Sequence, residues 1–174
     1  MTAPEEKRFN CLLVQTVFSE YSFWNYREVC ELAGAHYPAA PLGLLTVAAL
    51  LPGHWTYRLV DENVGPLLDE HILWADLVCT GGMLPQQKSM LGLIGRVHAL
   101  GRPIAVGGPD PTSQPDLYAA ADYRVLGEGE ITIPLFLEDF RNGATGGLYA
   151  SDGHANMLEA VVPRYDLIRF SDYL

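Results

Sequence analysis

Short apolar runs alternate with amphipathic segments along the first 141 residues of the chain. Five of these runs are rich in apolar and β-favouring residues, which predicts buried strands. The predicted strands are residues 10–18, 56–60, 76–80, 103–106 and 123–126. Because strands that are apolar almost throughout must be covered on both faces, the pattern favours a parallel sheet between two layers of helices.

The segments between the predicted strands carry helical signals. Residues 85–100 give the clearest helix, because apolar side chains recur there at helical spacing and Gly101 follows. Further helices or helical turns are predicted at residues 26–32, 41–51, 67–74, 114–120 and 130–141. Right-handed crossovers between parallel strands then give a doubly wound, flavodoxin-like (Rossmann-like) α/β fold. We predict a five-stranded parallel sheet with the order 2-1-3-4-5.

Residues 144–174 have a different pattern. They are small and polar up to Asn156 and show no periodic apolar spacing before Val161. We therefore expect residues 1–150 to form the α/β domain and residues 151–174 to be an extended, loosely packed C-terminal tail, acting as a linker.

Composition excludes several classes of function. The chain has 174 residues and a formal net charge of −10, with no basic cluster, which disfavours nucleic-acid binding. The longest apolar run, residues 42–51, is too short to span a membrane, and the polar N-terminus is no signal peptide. Cys11, Cys30 and Cys79 show neither disulfide nor metal spacing. These features predict a cytoplasmic protein.

Three glycine-bearing turns follow the third, fourth and fifth predicted strands. A single glycine after a strand usually serves only a tight turn, but three at one edge favour a backbone-lined shelf for a large, flat ligand. The candidate binding residues are Thr80, Gly81, Gly82, Met83, Gly107, Gly108, Pro109, Gly127, Glu128 and Gly129, with Asp61 and Asn63 after the second strand. We expect a side chain added at Gly108 to block a ligand there more than it disturbs the fold.

Nucleotide-binding signatures are missing from the expected places. The pattern GxxxxGK[ST] is absent, and so is GxGxxG after the first strand. Gly127 and Gly129 match the first two glycines of the GxGxxG pattern, but the third glycine is missing. The carboxylates of Glu128 and Glu130 would also repel phosphate. A dinucleotide is thus disfavoured, although the fold alone permits a flavin.

A set of segments in order along nearly the whole chain resembles a known family. The segments are SFW (22–24), PLGLLTVAALLP (41–52), LVDENVGPL (59–67), WADLVCTGGM (74–83), GGPDPTSQP (107–115), VLGEGE (125–130) and VPRYDL (162–167). They resemble the N-terminal cobalamin (B12)-binding domain of B12-dependent radical SAM proteins, nearest the hopanoid methylase-like group.

The resemblance implies a module that holds methylcobalamin for a methyltransferase. A corrinoid ring would lie over Gly81, Gly82, Gly107 and Gly108, and its nucleotide tail would pass beside the third and fourth strands, near Thr80. The three cysteines lack the CxxxCxxC spacing that an iron–sulfur cluster requires, so the chain alone is not expected to be catalytic. The [4Fe–4S] cluster and S-adenosylmethionine would belong to a C-terminal radical SAM domain, in cis or in trans, toward which residues 151–174 would lead.

The chain departs from many cobalamin-binding domains in one respect. Their DxHxxG motif after the first strand, whose histidine binds cobalt, is absent here. His71 follows Asp69 but lies at the wrong edge of the predicted sheet, and His36 is the sole histidine in the loop after the first strand. We expect no protein histidine on the metal. The absence of the DxHxxG motif is also compatible with an alternative function: a degenerate docking or substrate-gating domain that binds no cobalamin.

Overall fold

A parallel sheet forms the centre of the computed structural model, which describes residues 8–22 and 25–174 and contains six strands within them. The strands are β1 Asn10–Gln15, β2 Thr56–Asp61, β3 Leu77–Gly81, β4 Ile104–Gly107, β5 Tyr123–Val125 and β6 Gly147–Tyr149. Their order is β2-β1-β3-β4-β5-β6, and every neighbouring pair is parallel. The doubly wound α/β architecture follows, with β1 and β3 next to each other where the chain reverses its direction of winding.

Helices cover both faces of this sheet. They are α1 Arg27–Ala33, α2 Leu42–Leu50, α3 Asp69–Trp74, α4 Gln87–Ala99, α5 Pro109–Ser113 and α6 Gly129–Arg141. Alternate strand residues face opposite layers. Leu13 and Cys79 pack with α2 and α6 in one core, whereas Leu12 and Val78 pack with α3 and α4 in the other.

The predicted strand count is wrong by one. The relative order of β1 to β5 is as predicted, but β6 extends the sheet at its β5 edge. Its three residues include only one buried side chain, Tyr149, whose ring packs edge-on against Phe136 at 5.7 Å. A strand this short leaves no alternating or continuous apolar run in the sequence.

Several predicted boundaries also differ. The first strand ends at Gln15 rather than at residue 18. The helix predicted over residues 85–100 is a 3-10 turn, Leu84–Gln86, that continues into α4. The helix predicted over residues 114–120 is a 3-10 turn, Pro115–Tyr118, preceded by α5. Phe23 and Trp24, which contribute to the resemblance, lie outside the described residues.

Residues 163–174, here termed the C-terminal strap, pack against the domain. Near its start, the Arg164 N–H donates to the Leu45 carbonyl at 3.1 Å. Near its end, the Tyr173 hydroxyl donates to Asp61 at 3.1 Å, and the Asp172 carbonyl accepts from the N–H groups of His36 and Tyr37 at 2.9 and 3.1 Å. The expectation of a loose tail is therefore wrong for the strap.

The segment just before the strap is different. The side chains of Met157, Leu158 and Val162 are exposed. Backbone and polar contacts attach the strap together with one apolar side chain, Leu167, so no apolar periodicity marks it in the sequence.

Removing the Asp172 carboxylate should loosen this attachment. Asp172 is buried and faces His36 Nδ1 and Arg169 Nε, both at 3.3 Å. Losing a charge-assisted contact of this kind favours local opening, so in Asp172→Ala we expect the amides of His36 and Tyr37 to exchange about tenfold faster. Asp166→Ala is the matched control, because Asp166 pairs only with Arg164 on the surface. Equal exchange rates in the two variants would contradict the proposed role of Asp172.

Within residues 8–22 and 25–174, no helix has the length and apolar character needed to cross a bilayer.

Candidate functional site

A cavity of about 810 Å³ opens at the carboxyl edge of the sheet. Its mouth is formed by the glycine-bearing turns after β3, β4 and β5, and by residues 37–41, which lead into α2. Its floor is apolar and includes Cys79, Ala105, Ile133 and Phe136. It therefore lies at the edge where open α/β sheets bind ligands, next to the switch point between β1 and β3.

Helix α2 forms one wall. Its sequence, LGLLTVAAL, has no polar face, and its lone hydroxyl, on Thr46, is satisfied by the Leu42 carbonyl at 2.9 Å. Leu44, Leu45 and Ala48 are buried. Leu42, Gly43 and Val47 line the cavity, and Leu42 is 53% exposed. A helix that is apolar all round normally lies in a core. Here one apolar side packs on the sheet and another lines the cavity, so the wall suits an apolar ligand.

The residues Gly81, Gly82, Gly107 and Gly108, here termed the glycine rim, lie where backbone segments approach closely. A Cβ on Gly81 would stand 3.0 Å from the Gly107 carbonyl oxygen, and one on Gly107 would stand 2.6 Å from the Val125 oxygen. Gly108 has a φ of +88°, and its Cβ would stand 2.9 Å from the Gly82 nitrogen. Glycine is thus required at Gly81, Gly107 and Gly108 because a Cβ would stand too close to neighbouring backbone, whether or not a ligand binds. A side chain at Gly108 should therefore disturb the fold itself, so a Gly108→Val variant would not separate loss of a ligand contact from loss of the fold.

Two buried polar side chains fix the turn after β3. The Thr80 hydroxyl donates to the Val14 carbonyl at 2.8 Å, which ties β3 to β1. Gln86 is 1% exposed; its amide nitrogen donates to the Thr16 carbonyl at 2.8 Å, and its oxygen accepts from the Met83 N–H at 3.1 Å. Gln86 also lines the cavity. The place of Gln86 in the cavity could not be predicted from the sequence, because a glutamine at the start of a helix is ordinarily a surface residue.

Asp110 organises the turn after β4. Its buried carboxylate accepts from Gln87 at 3.1 and 3.2 Å, from Gln114 at 3.0 Å and from the Tyr118 hydroxyl. Its own N–H donates to the Gly82 carbonyl at 3.0 Å. These contacts hold the turns after β3 and β4 together directly behind the glycine rim.

Most of the predicted binding residues meet at this cavity. Those that line it are Thr80, Gly81, Gly82, Met83, Gly107, Gly108, Pro109, Gly127 and Gly129. None of the predicted binding residues lies on α2, in residues 37–41 or on the floor, because these parts of the chain are mainly apolar and look like core in the sequence. Whether these residues bind a ligand stays a prediction.

Asp61, Asn63 and Glu128 are not among the lining residues, although Gly127 and Gly129 on either side of Glu128 are, and all three make hydrogen bonds within the protein. Asp61 accepts from the Asn63 N–H at 2.9 Å and its side-chain amide at 2.7 Å, while burial raises the pKa of the Asp61 carboxyl. Asn63 in turn accepts from the Phe18 N–H at 3.0 Å. Glu128 accepts from the Ala155 N–H and from His154 at 3.1 Å, and these contacts lower the pKa of its carboxyl.

The residues that line the cavity include no histidine. His36 contacts Asp172 of the strap, and His71 accepts from the Leu68 N–H at 3.2 Å on α3. In the described part of the chain, no three His, Cys, Asp or Glu side chains are grouped as a metal site would need.

Comparison with known proteins gives two relatives. No protein-family model matches the chain, and no solved structure matches it. An uncharacterized methyltransferase of Synechocystis sp. (sll1242) is 40% identical over 164 residues, which cover 93% of this chain and 30% of that protein. The hopanoid C-2 methylase of Rhodopseudomonas palustris is 31% identical over 172 residues, covering 97% of this chain and 32% of that protein. The chain thus spans about a third of the length of two methyltransferases, to which it is similar along nearly its whole length.

Proposed function

We propose that this chain is the cobalamin-binding module of a B12-dependent radical SAM methyltransferase, and that it holds methylcobalamin for methyl transfer. One observation carries the proposal: the cavity runs from a backbone-lined mouth at the switch point down to an apolar floor between α2, α6 and the strands. Cobalamin suits such a cavity, because it has a flat ring bearing amide groups and a nucleotide tail that passes through a phosphodiester and ends in an aromatic base.

The lining residues suit each part of such a ligand. The ring would lie at the mouth, where the glycine rim offers backbone without side chains. The aromatic base would enter the slot toward Cys79, Ala105 and Phe136, where burial of its apolar surface is favourable. The bound cofactor would supply the transferable methyl group, and the residues of this chain would orient it and exclude water from it.

The two methyltransferases support a role in methylation. The remaining catalytic parts, a [4Fe–4S] cluster and S-adenosylmethionine in a radical SAM domain, would come from outside these 174 residues. The compound that is methylated is left open, since the hopanoid is named only for the Rhodopseudomonas relative.

The cavity is open to solvent, so its apolar lining stays in water until something covers it. A corrinoid would cover this surface, and so would a docked partner in the alternative of a degenerate docking domain, so corrinoid binding is the measurement that decides between them.

Binding can be tested by incubating the chain with hydroxocobalamin, desalting it and recording the visible spectrum. We expect the wild type to retain the corrinoid. Gly43 lines the cavity, and a Cβ there meets nothing within 4 Å, so Gly43→Trp should fill the mouth without disturbing the fold. We expect its Kd to rise roughly a hundredfold or more, since the ligand loses a broad contact face.

Gly95→Trp is the matched control. Gly95 is an exposed glycine of α4, also with nothing within 4 Å of its Cβ, and it does not line the cavity. Its Kd should equal that of the wild type. A folded wild type that retains no corrinoid would overturn the proposal, and equal binding by both tryptophan variants would show that the site lies elsewhere.

A further inference from the structure

One amide side chain in the cavity has no partner within the protein. Gln15, the last residue of β1, is half-buried and lines the cavity. Side chains alternate along a strand, so Gln15 faces the same layer as Leu13, which is the layer of α2 and α6. Within the residues that the structure describes, the side-chain amide of Gln15 makes no hydrogen bond. Its acceptor oxygen and two donor N–H groups are therefore available to a ligand.

Several other polar side chains of the lining are already engaged. The Thr80 hydroxyl, the Gln86 amide and the Thr46 hydroxyl are all held by backbone groups of the protein. The Tyr37 hydroxyl also lacks a partner in the described part of the chain, but it is fully buried, so a ligand in the open cavity does not reach it. Gln15 differs from these residues because its amide is both unpaired and accessible.

The strand register places Gln15 beside the glycine rim. Val14 pairs with Thr80, so the residues that follow, Gln15 and Gly81, lie side by side on adjoining strands. Gly81 in turn pairs with Gly107 of β4. Because neither glycine has a side chain, an open space two strands wide lies next to Gln15 at the switch point. A flat ligand over the glycine rim would therefore bring its edge to the Gln15 amide.

We propose that Gln15 recognises a primary carboxamide at the edge of the corrin ring, with its Nε2 donating one hydrogen bond and its Oε1 accepting another. Two primary amides that face each other pair in this way, because each is both a donor and an acceptor. The inference rests on the proposed function, since the corrin ring carries several primary carboxamides around its edge. A paired amide fixes the rotation of the ring over the glycine rim, which apolar contacts with a flat face do not.

Replacing Gln15 by methionine tests this role, because methionine has a similar length and no amide. The Kd would be measured for cyanocobalamin and for dicyanocobinamide, which keeps the ring carboxamides but lacks the nucleotide tail. We expect both values to rise about tenfold in Gln15→Met, since the same ring contact is lost from each ligand. The urea midpoint should not fall, because the amide has no partner in the protein.

Asn142→Leu is the matched control. Asn142 follows the last residue of α6, is exposed and does not line the cavity, and its side-chain amide likewise has no hydrogen bond within the described residues. The control should bind both corrinoids as the wild type does. Equal Kd values for the wild type and Gln15→Met would overturn the inference and leave the proposed function intact. A rise for cyanocobalamin alone would place the contact on the tail and overturn the assignment to the ring. A folded wild type that binds neither corrinoid would overturn the proposed function and the inference together.

The side-chain amide of Gln15 also gives a direct spectroscopic readout. Its two N–H signals in a proton–nitrogen correlation spectrum can be assigned by their loss in Gln15→Met. On saturation with dicyanocobinamide, we expect one of them to shift downfield and to exchange with water about tenfold more slowly, because it becomes hydrogen-bonded. Signals that stay unchanged in the saturated wild type would show that Gln15 does not contact the ring, and would overturn the inference.

Discussion

Replacing Gly108 by valine is expected to destabilise the whole domain. With φ of +88° and ψ of −177°, Gly108 occupies a backbone region that is essentially restricted to glycine. A Cβ would also stand 2.9 Å from the Gly82 nitrogen, in the turn after the neighbouring strand. Strain and overlap together should cost about 3 to 5 kcal/mol, a large share of the roughly 5–15 kcal/mol that stabilises a typical domain.

Urea denaturation of the two proteins would measure this loss. Gly43→Ala provides the control, because Gly43 is helical and open space surrounds its Cβ; removing a helix glycine should add about 0.5–1 kcal/mol. If Gly108→Val unfolded at the same urea concentration as the wild type, the close approach of the turns after β3 and β4 would be refuted.

Replacing Asp110 by alanine should have the next largest effect. The substitution leaves the amides of Gln87 and Gln114 and the hydroxyl of Tyr118 without their common acceptor. Tyr118 is buried, and a buried donor left unpaired costs about 1–3 kcal/mol, whereas the half-buried amides of Gln87 and Gln114 can bond to water, so we expect a loss of about 2–3 kcal/mol. Asp110→Asn keeps one acceptor oxygen and should lose less.

A double-mutant cycle with Tyr118→Phe would separate the free energy of the hydrogen bond between Tyr118 and Asp110 from that of side-chain packing. The loss in the double variant should be smaller than the sum of the single losses, because both substitutions remove the same hydrogen bond. Strict additivity would show that Tyr118 and Asp110 do not depend on each other. Binding of the proposed ligand should weaken in parallel, since Asp110 holds the turns that carry the glycine rim.

Much of the fold could be predicted because hydrophobic burial shows in the sequence. β1, β3 and β4 are buried on both faces, so they appear as continuous apolar runs, and topology rules then give the order of the first five strands. β6 and α5 could not be predicted, because their sequences show no such apolar runs. β6 buries one side chain, and α5, with sequence PDPTS, contains two prolines that ordinarily argue against a helix.

The candidate site was half predictable. Glycine turns at the ends of strands are visible in sequence, and they do line the cavity. The wall made by α2 was not visible, because an apolar residue facing a cavity looks the same in sequence as one facing a core. Asp61 and Asn63 lie outside the lining, and their hydrogen bonds are to each other, to Tyr173 and to backbone, which no local pattern reveals.

The all-parallel sheet has a kinetic consequence. No two neighbouring strands are joined by a hairpin, so even the shortest-range pairing, Ala105 with Tyr123, requires a complete crossover to form first. β1 and β3 pair through Cys11 and Leu77, which closes one of the longest loops in the domain. Closing such loops costs conformational entropy before the contacts form, so this chain should fold far more slowly than a helical bundle of equal length. Until residues 77–81 have docked, β1 can pair only with β2 and its other edge stays open, so aggregation competes with folding most strongly in that interval.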